Sequence, residues 1–104
     1  MNANQVLIDQ LNVLVEEELV AITEGNVAVA ASLQDKAIKL IEELSVLKVS
    51  QPSFWNPNYQ SMLLVIEDKI KLNMLTLDTL KLRATDELNL IKLALEKLAE
   101  IKLS

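Results

Sequence analysis

Glycine and proline, the residues that end helices and shape the turns between strands, are almost absent from this chain. It contains one Gly and two Pro among 104 residues, and 51% of its residues are hydrophobic while only 3% are aromatic. A sandwich or barrel of short strands needs many more turn residues. The sequence therefore predicts an all-α protein, and its length predicts a single helical domain over residues 1 to 104.

Hydrophobic residues recur at three- and four-residue steps in three segments, which predict helices over about residues 4–23, 27–48 and 59–103. Gly25 and Asn26 suit a helix end followed by a helix cap, and either a full turn or a mild kink is compatible with them. Both prolines lie between the second and third segments, so helix must stop there. The third segment has a seven-residue apolar repeat typical of a coiled coil, at Leu63, Ile70, Leu77, Ala84, Ile91 and Leu98.

The lengths of these helices leave two architectures open. At ~1.5 Å per residue the first helix would reach ~30 Å and the third ~68 Å. If Gly25 turns the chain fully, a three-helix bundle forms, and half of the third helix must find another partner or break. If Gly25 only kinks it, the first two helices form one arm of a long antiparallel hairpin. Either architecture has a long C-terminal helix with coiled-coil-like packing.

The absence of His and Cys removes the usual zinc and iron ligands, the thiol nucleophile and disulfides. Neighbouring acids such as Asp86 and Glu87 diverge by ~100° on a helix, which is wrong for acid–base chemistry on one atom. We therefore predict no enzyme activity, no cofactor and no metal site. Carboxylates that converge in the core, or a metal bound to the purified protein, would reopen that question.

The net charge and the hydropathy of the chain limit the classes of partner that it can bind. The net charge of −5 argues against nucleic acid and against an anionic membrane surface. The longest apolar stretch is far below the ~20 residues of a membrane span, and no basic leader is visible. We expect a cytoplasmic protein without membrane insertion.

A second apolar stripe on the third predicted helix is the most informative feature. At ~100° per residue it lies opposite the seven-residue repeat, and charged residues such as Glu87 fill the sectors between. We call it the leucine stripe: Leu72, Leu75, Leu82, Leu90 and Leu93. A helix that is apolar on two sides is buried on two sides, and three helices are too few to cover both. We predict that these five leucines bind a partner, which is either an amphipathic helix of a client protein or a second copy of this chain in a homodimer or larger oligomer. Glu18, by contrast, falls at the edge of the stripe of the first helix.

The segment from Glu18 to Leu44 resembles the flagellar export chaperones of the FlgN and FliT type. The shared features are a leucine-rich helix, a Gly-Asn step after an Ala-hydrophobic pair, and a Leu-x-x-Lys element followed by aliphatic residues. The matching residues are Glu18, Ala21, Ile22, Gly25, Asn26, Leu33, Lys36, Leu40, Ile41 and Leu44.

The resemblance implies a cytoplasmic chaperone that holds the C-terminal amphipathic helices of hook-associated or filament-cap subunits for type III export. It also implies a client surface largely on the last helix, where the leucine stripe lies. The alternative is a structural or regulatory coiled-coil protein whose leucine stripe is covered by homo-oligomerisation alone.

Overall fold

A computed structural model describes residues 3 to 103 and confirms the all-α prediction, because these residues contain helices and no strand. One turn of 3-10 helix, Pro52–Phe54, lies in the proline segment. None of the helices in the described range is long and apolar enough to cross a membrane. The helices are α1 (Ala3–Thr23), α2 (Val27–Ser50), α3 (Asn58–Thr79) and α4 (Thr85–Leu103).

The four helices form a bundle that measures 44 × 24 × 19 Å. Both α1 and α4 pack against α2 and α3, so α1 lies diagonally across from α4 and α2 lies diagonally across from α3. The helices α1 and α3 run parallel, because Lys69 contacts Glu16 and Asn73, one turn later, contacts Glu18. The chain therefore crosses the bundle diagonally between α2 and α3.

The helices α2 and α4 are also parallel neighbours. Lys97 of α4 pairs with Glu42 of α2 at 3.4 Å, and the Lys48 ammonium donates to the carbonyl of Ile101 near the ends of both helices. The bundle thus has two parallel pairs, α1 with α3 and α2 with α4.

Gly25 turns the chain fully, so a mild kink and the long hairpin that follows from it are wrong. Its φ is +77°, a left-handed conformation that glycine adopts without steric strain. The amide of Gly25 donates to the carbonyl of Ile22, and the amide of Asn26 donates to that of Ala21. These two bonds are those of a Schellman motif, which ends α1. The side chain of Asn26 then caps α2 by accepting from the amide of Val29 at 3.3 Å.

The single helix predicted over residues 59–103 is wrong, because the chain leaves helix between α3 and α4 and reverses direction. Lys81 adopts a φ of +55° there. Its amide donates to the carbonyl of Asp78, and the amide of Leu82 donates to that of Leu77. This is the same Schellman motif, with lysine in the position that usually holds glycine. The break resolves the length mismatch, because the half of the predicted helix that lacked a partner becomes α4, which folds back along α3 and packs against α2.

The core residues predicted from the seven-residue repeat are nevertheless buried, including Ala84 in the connection itself. At the end of the bundle where α2 finishes, Trp55 is half-buried against the core, with its ring edge-on to Tyr59 and the Lys48 ammonium 5.4 Å from its centre. Phe54 beside it points into solvent.

Candidate functional site

The break after α3 divides the leucine stripe. Leu72 and Leu75 lie on α3 opposite its core face and are 47% and 59% exposed. Leu82 lies in the connection, where it is half-buried and packs against the core.

Leu90 and Leu93 lie on the opposite flank of α4 from α3. Lys97, seven residues after Leu90, pairs with a carboxylate of α2. Residues seven apart share a side of a helix, so Leu90 faces α2, where it is half-buried against the core. Leu93, which precedes Lys97 by one turn, is 39% exposed. The five leucines therefore do not form one continuous surface.

Two of the five, Leu75 and Leu82, line a groove between α3 and α4, whereas Leu72 lies on the outer side of α3 and does not line it. The groove has a volume of about 570 Å³. We call this feature the α3–α4 groove; it is lined by Met74, Leu75, Leu77, Asp78, Lys81, Leu82 and Leu88. Its floor is apolar, and one carboxylate and one ammonium provide opposite charges at its edge.

The outward side of α3 extends this apolar surface. Leu64 precedes Leu75 by eleven residues and Val65 precedes Leu72 by seven, spacings that point each pair in nearly the same direction. All four side chains are about half exposed. We call Leu64, Val65, Leu72 and Leu75 the α3 face. Leu64 and Val65 were not predicted from the sequence, although their spacing to the two leucines is visible there.

Asp68 is the one charged residue in the middle of the α3 face. It is exposed and follows Leu64 by one helical turn. Lys71 on the flank is held 3.6 Å from Glu67. A helix that packs on the α3 face would therefore meet an apolar surface with one central negative charge.

A second feature lies inside the bundle, where each helix contributes one buried polar residue. We call it the polar layer: Glu18 of α1, Gln34 of α2, Asn73 of α3 and Glu87 of α4. Two expectations from the sequence are corrected here. Glu18 is not at the edge of its stripe but fully buried, and Glu87 is not in a solvated sector but only 1% exposed.

Hydrogen bonds converge on Glu18 within the polar layer. The amide nitrogen of Asn73 donates to Glu18 Oε1 at 2.7 Å and to the carbonyl of Val15 at 3.1 Å. The amide of Gln34, oriented with its nitrogen toward Glu18, donates to the two carboxyl oxygens at 2.6 and 3.0 Å. Glu87 faces Glu18, and its two oxygens are inaccessible to water and accept no other hydrogen bond within the described chain.

Burial governs the protonation of this pair. Loss of hydration, followed by the hydrogen bond to Glu87, raises the pKa of Glu18 to about 9. Burial likewise raises the pKa of Glu87 above its ordinary value. The polar layer therefore holds at least one proton at neutral pH.

Two carboxyl groups, those of Glu18 and Glu87, therefore converge in the core. Across residues 3 to 103, no three His, Cys, Asp or Glu side chains come together in a way that could hold a metal ion. Because Glu18 and Glu87 are buried in the closed bundle, neither can contact a substrate there. Comparison with family models, with curated proteins and with solved structures found no match to this chain.

Proposed function

We propose that this chain is a non-enzymatic helix-binding protein whose α3 face and α3–α4 groove hold an amphipathic helix of a client protein. The observation that carries the proposal is that half-exposed aliphatic side chains on α3 run into an apolar groove. Full burial of one leucine is worth about 1.5–3 kcal/mol, so covering these side chains would contribute several kcal/mol to binding.

The dimensions of this surface suit a helix better than an extended peptide. The 22 residues of α3 give a length of roughly 33 Å, which a client helix of about 20 residues would match. An extended peptide binds best to an open sheet edge, and the described chain contains no sheet. A client helix with apolar residues at three- and four-residue steps would place successive anchors along the α3 face and into the α3–α4 groove.

Within this class we propose a cytoplasmic chaperone that delivers hook-associated or filament-cap subunits to the flagellar type III export apparatus. The support is the resemblance between residues Glu18 and Leu44 and the FlgN and FliT type. The Gly-Asn step in that segment forms the turn between α1 and α2. The client would be the C-terminal amphipathic helix of such a subunit.

The test replaces Leu72 and Leu75 together by Glu. Both side chains are exposed, so the bundle should still fold, whereas Leu82 contacts the core and its replacement would confuse binding with stability. Isothermal titration calorimetry would measure binding of peptides that correspond to the C-terminal helices of hook-associated and cap subunits. We expect at least a tenfold loss of affinity, because two anchors of about 1 kcal/mol each are removed.

The matched control is Val46→Glu on the outer side of α2, where the side chain is 64% exposed. This variant should bind the peptides as the parent protein does. Equal binding by all three proteins would refute the α3 face as the client site. Sedimentation equilibrium tests the alternative of obligate homo-oligomerisation. That alternative requires the Leu72→Glu, Leu75→Glu protein to dissociate and unfold. A free client site requires the same variant to stay folded, so dissociation with unfolding would contradict our proposal.

A further inference from the structure

The polar layer contains two carboxyl groups and no cation. The buried polar residues of the described chain are carboxyl and amide side chains, without a Lys or Arg among them. An ionised carboxylate without a partner is strongly unfavourable in a dry core. Two carboxyls that face each other there therefore retain a proton, which serves the pair rather than either residue alone.

The hydrogen bonds indicate what this proton does. Glu18 already accepts from the amides of Asn73 and Gln34, whereas Glu87 accepts from neither. A proton on Glu18 that points at Glu87 gives Glu87 its hydrogen bond. That bond links α1 to α4, which lie diagonally across the bundle and do not otherwise pack against each other.

The two ends of α4 are attached differently. Its last turns are held by the ion pair between Lys102 and Glu67, at 2.6 Å, and by the hydrogen bond from Lys48 to the carbonyl of Ile101. Its first turn follows a short connection in which Lys81 is held in a left-handed conformation, which is unfavourable for a side chain other than glycine. Glu87 is the buried polar contact of this first turn.

We propose that the proton shared by Glu18 and Glu87 is a latch for the N-terminal half of α4, so that loss of this proton as pH rises releases that half from the bundle. When both carboxyls are ionised, two negative charges face each other in the core, and separation of α4 brings them to water. The C-terminal half of α4 stays attached through Lys102, whose ion pair does not depend on the latch.

The groups around the latch support a response to pH that belongs to the pair. Gln34 from α2 and Asn73 from α3 face the carboxyl pair, and their amide side chains carry no charge at any pH between 5.5 and 7.5. Arg83 and Asp86 line a surface pocket of about 400 Å³ that reaches Glu87, and both are exposed. These two side chains carry opposite charges, and the Glu87 carboxyl oxygens behind them are inaccessible to water in the closed bundle.

Native-state amide hydrogen exchange of the whole chain between pH 5.5 and 7.5 tests the latch. After correction for the intrinsic exchange rate, the opening equilibrium constant of amides in the first half of α4 should rise about tenfold per pH unit, or about a hundredfold over the range, because one retained proton is released on opening. Amides of α1 and α2 should exchange through a rarer opening at every pH.

Two variants identify the groups responsible. In Glu87→Gln the rise with pH should shrink, and in the double variant Glu18→Gln, Glu87→Gln it should vanish. Glu96→Gln, an exposed change on the same helix, should behave as the parent protein does. The latch is overturned if the double variant keeps the parental slope, or if α4 and α1 open with the same constant at all pH values.

Discussion

At the scale of single residues, the two positions with positive φ show how one backbone motif can be built with and without glycine. Gly25 and Lys81 occupy the same place in two Schellman motifs, with φ values of 77° and 55°. For lysine this conformation costs about 1–2 kcal/mol, because its Cβ approaches the following carbonyl oxygen. The connection between α3 and α4 is therefore formed at the expense of local strain, which packing elsewhere must offset.

We expect Lys81→Gly to stabilise the bundle by about 0.5–1 kcal/mol, since relief of the strain exceeds the added entropy of glycine in the unfolded chain. The reciprocal change, Gly25→Ala, should destabilise it by about 1–2 kcal/mol. Apart from Gly25 and its two chain neighbours, no residue places an atom within 4 Å of the new Cβ, so this loss would come from the backbone conformation alone. Urea unfolding at constant m-value measures both, and a destabilised Lys81→Gly protein would contradict the argument.

At the scale of helices, the sequence predicted α1, α2 and the burial of the seven-residue repeat in α3 and α4, but not the break between the last two. Gly25 and the two prolines mark the other helix ends, whereas Lys81 gives no such signal. Leu77, Ala84 and Ile91 are all buried, so the seven-residue repeat continues in phase through the connection.

The candidate site could be predicted only in part, because the sequence gives no signal of the break at Lys81. Leu72 and Leu75 are exposed as expected, but the positions of Leu82 and Leu90 depend on where the chain reverses. Glu87 was assigned to a polar sector, although it precedes the buried Ile91 by one turn, and that spacing was the available signal. Its burial depends on the position of Glu18 on another helix, which no pattern within one helix reveals.

The attachment of α4 to α3 leads to a prediction at this scale. The Glu67 side chain is only 10% exposed, and it is paired with Lys102 at 2.6 Å and with Lys71 at 3.6 Å. Lys102→Met should lower the free energy of unfolding by about 1–3 kcal/mol, because the buried carboxylate loses its closer partner. Lys71→Met, which removes the more exposed partner, should lower it by less than about 1 kcal/mol. Urea titrations at pH 7 would show whether this order holds, and the reverse order would contradict it.

At the scale of the whole molecule, two sets of carboxyls give opposite responses to pH. The hydrogen bond from Lys102, opposed in part by burial, holds the pKa of Glu67 below its ordinary value of 4.5. The stabilisation by Glu67 is therefore present above that value and is lost as pH falls through the lower, folded-state pKa. For Glu18 the folded-state pKa is raised from 4.5 to about 9. Stabilisation by the protonated pair is therefore complete below pH 4.5 and is lost as pH rises toward 9.

These opposite shifts predict that the bundle is most stable near pH 4.5, just below the range of about pH 5 to 8 that is usual for globular proteins. The free energy of unfolding should fall by about 1.4 kcal/mol per pH unit above that point while one proton is retained, because the unfolded chain releases a proton that the folded chain keeps. Urea unfolding at intervals from pH 3 to 9 would give the profile. Glu67→Gln should flatten only its acid side, and Glu18→Gln with Glu87→Gln only its alkaline side. Stability that rises steadily from pH 5 to 8 in the parent protein would show that the buried pair is ionised in the folded state, and both the alkaline response and the latch on α4 would then be wrong.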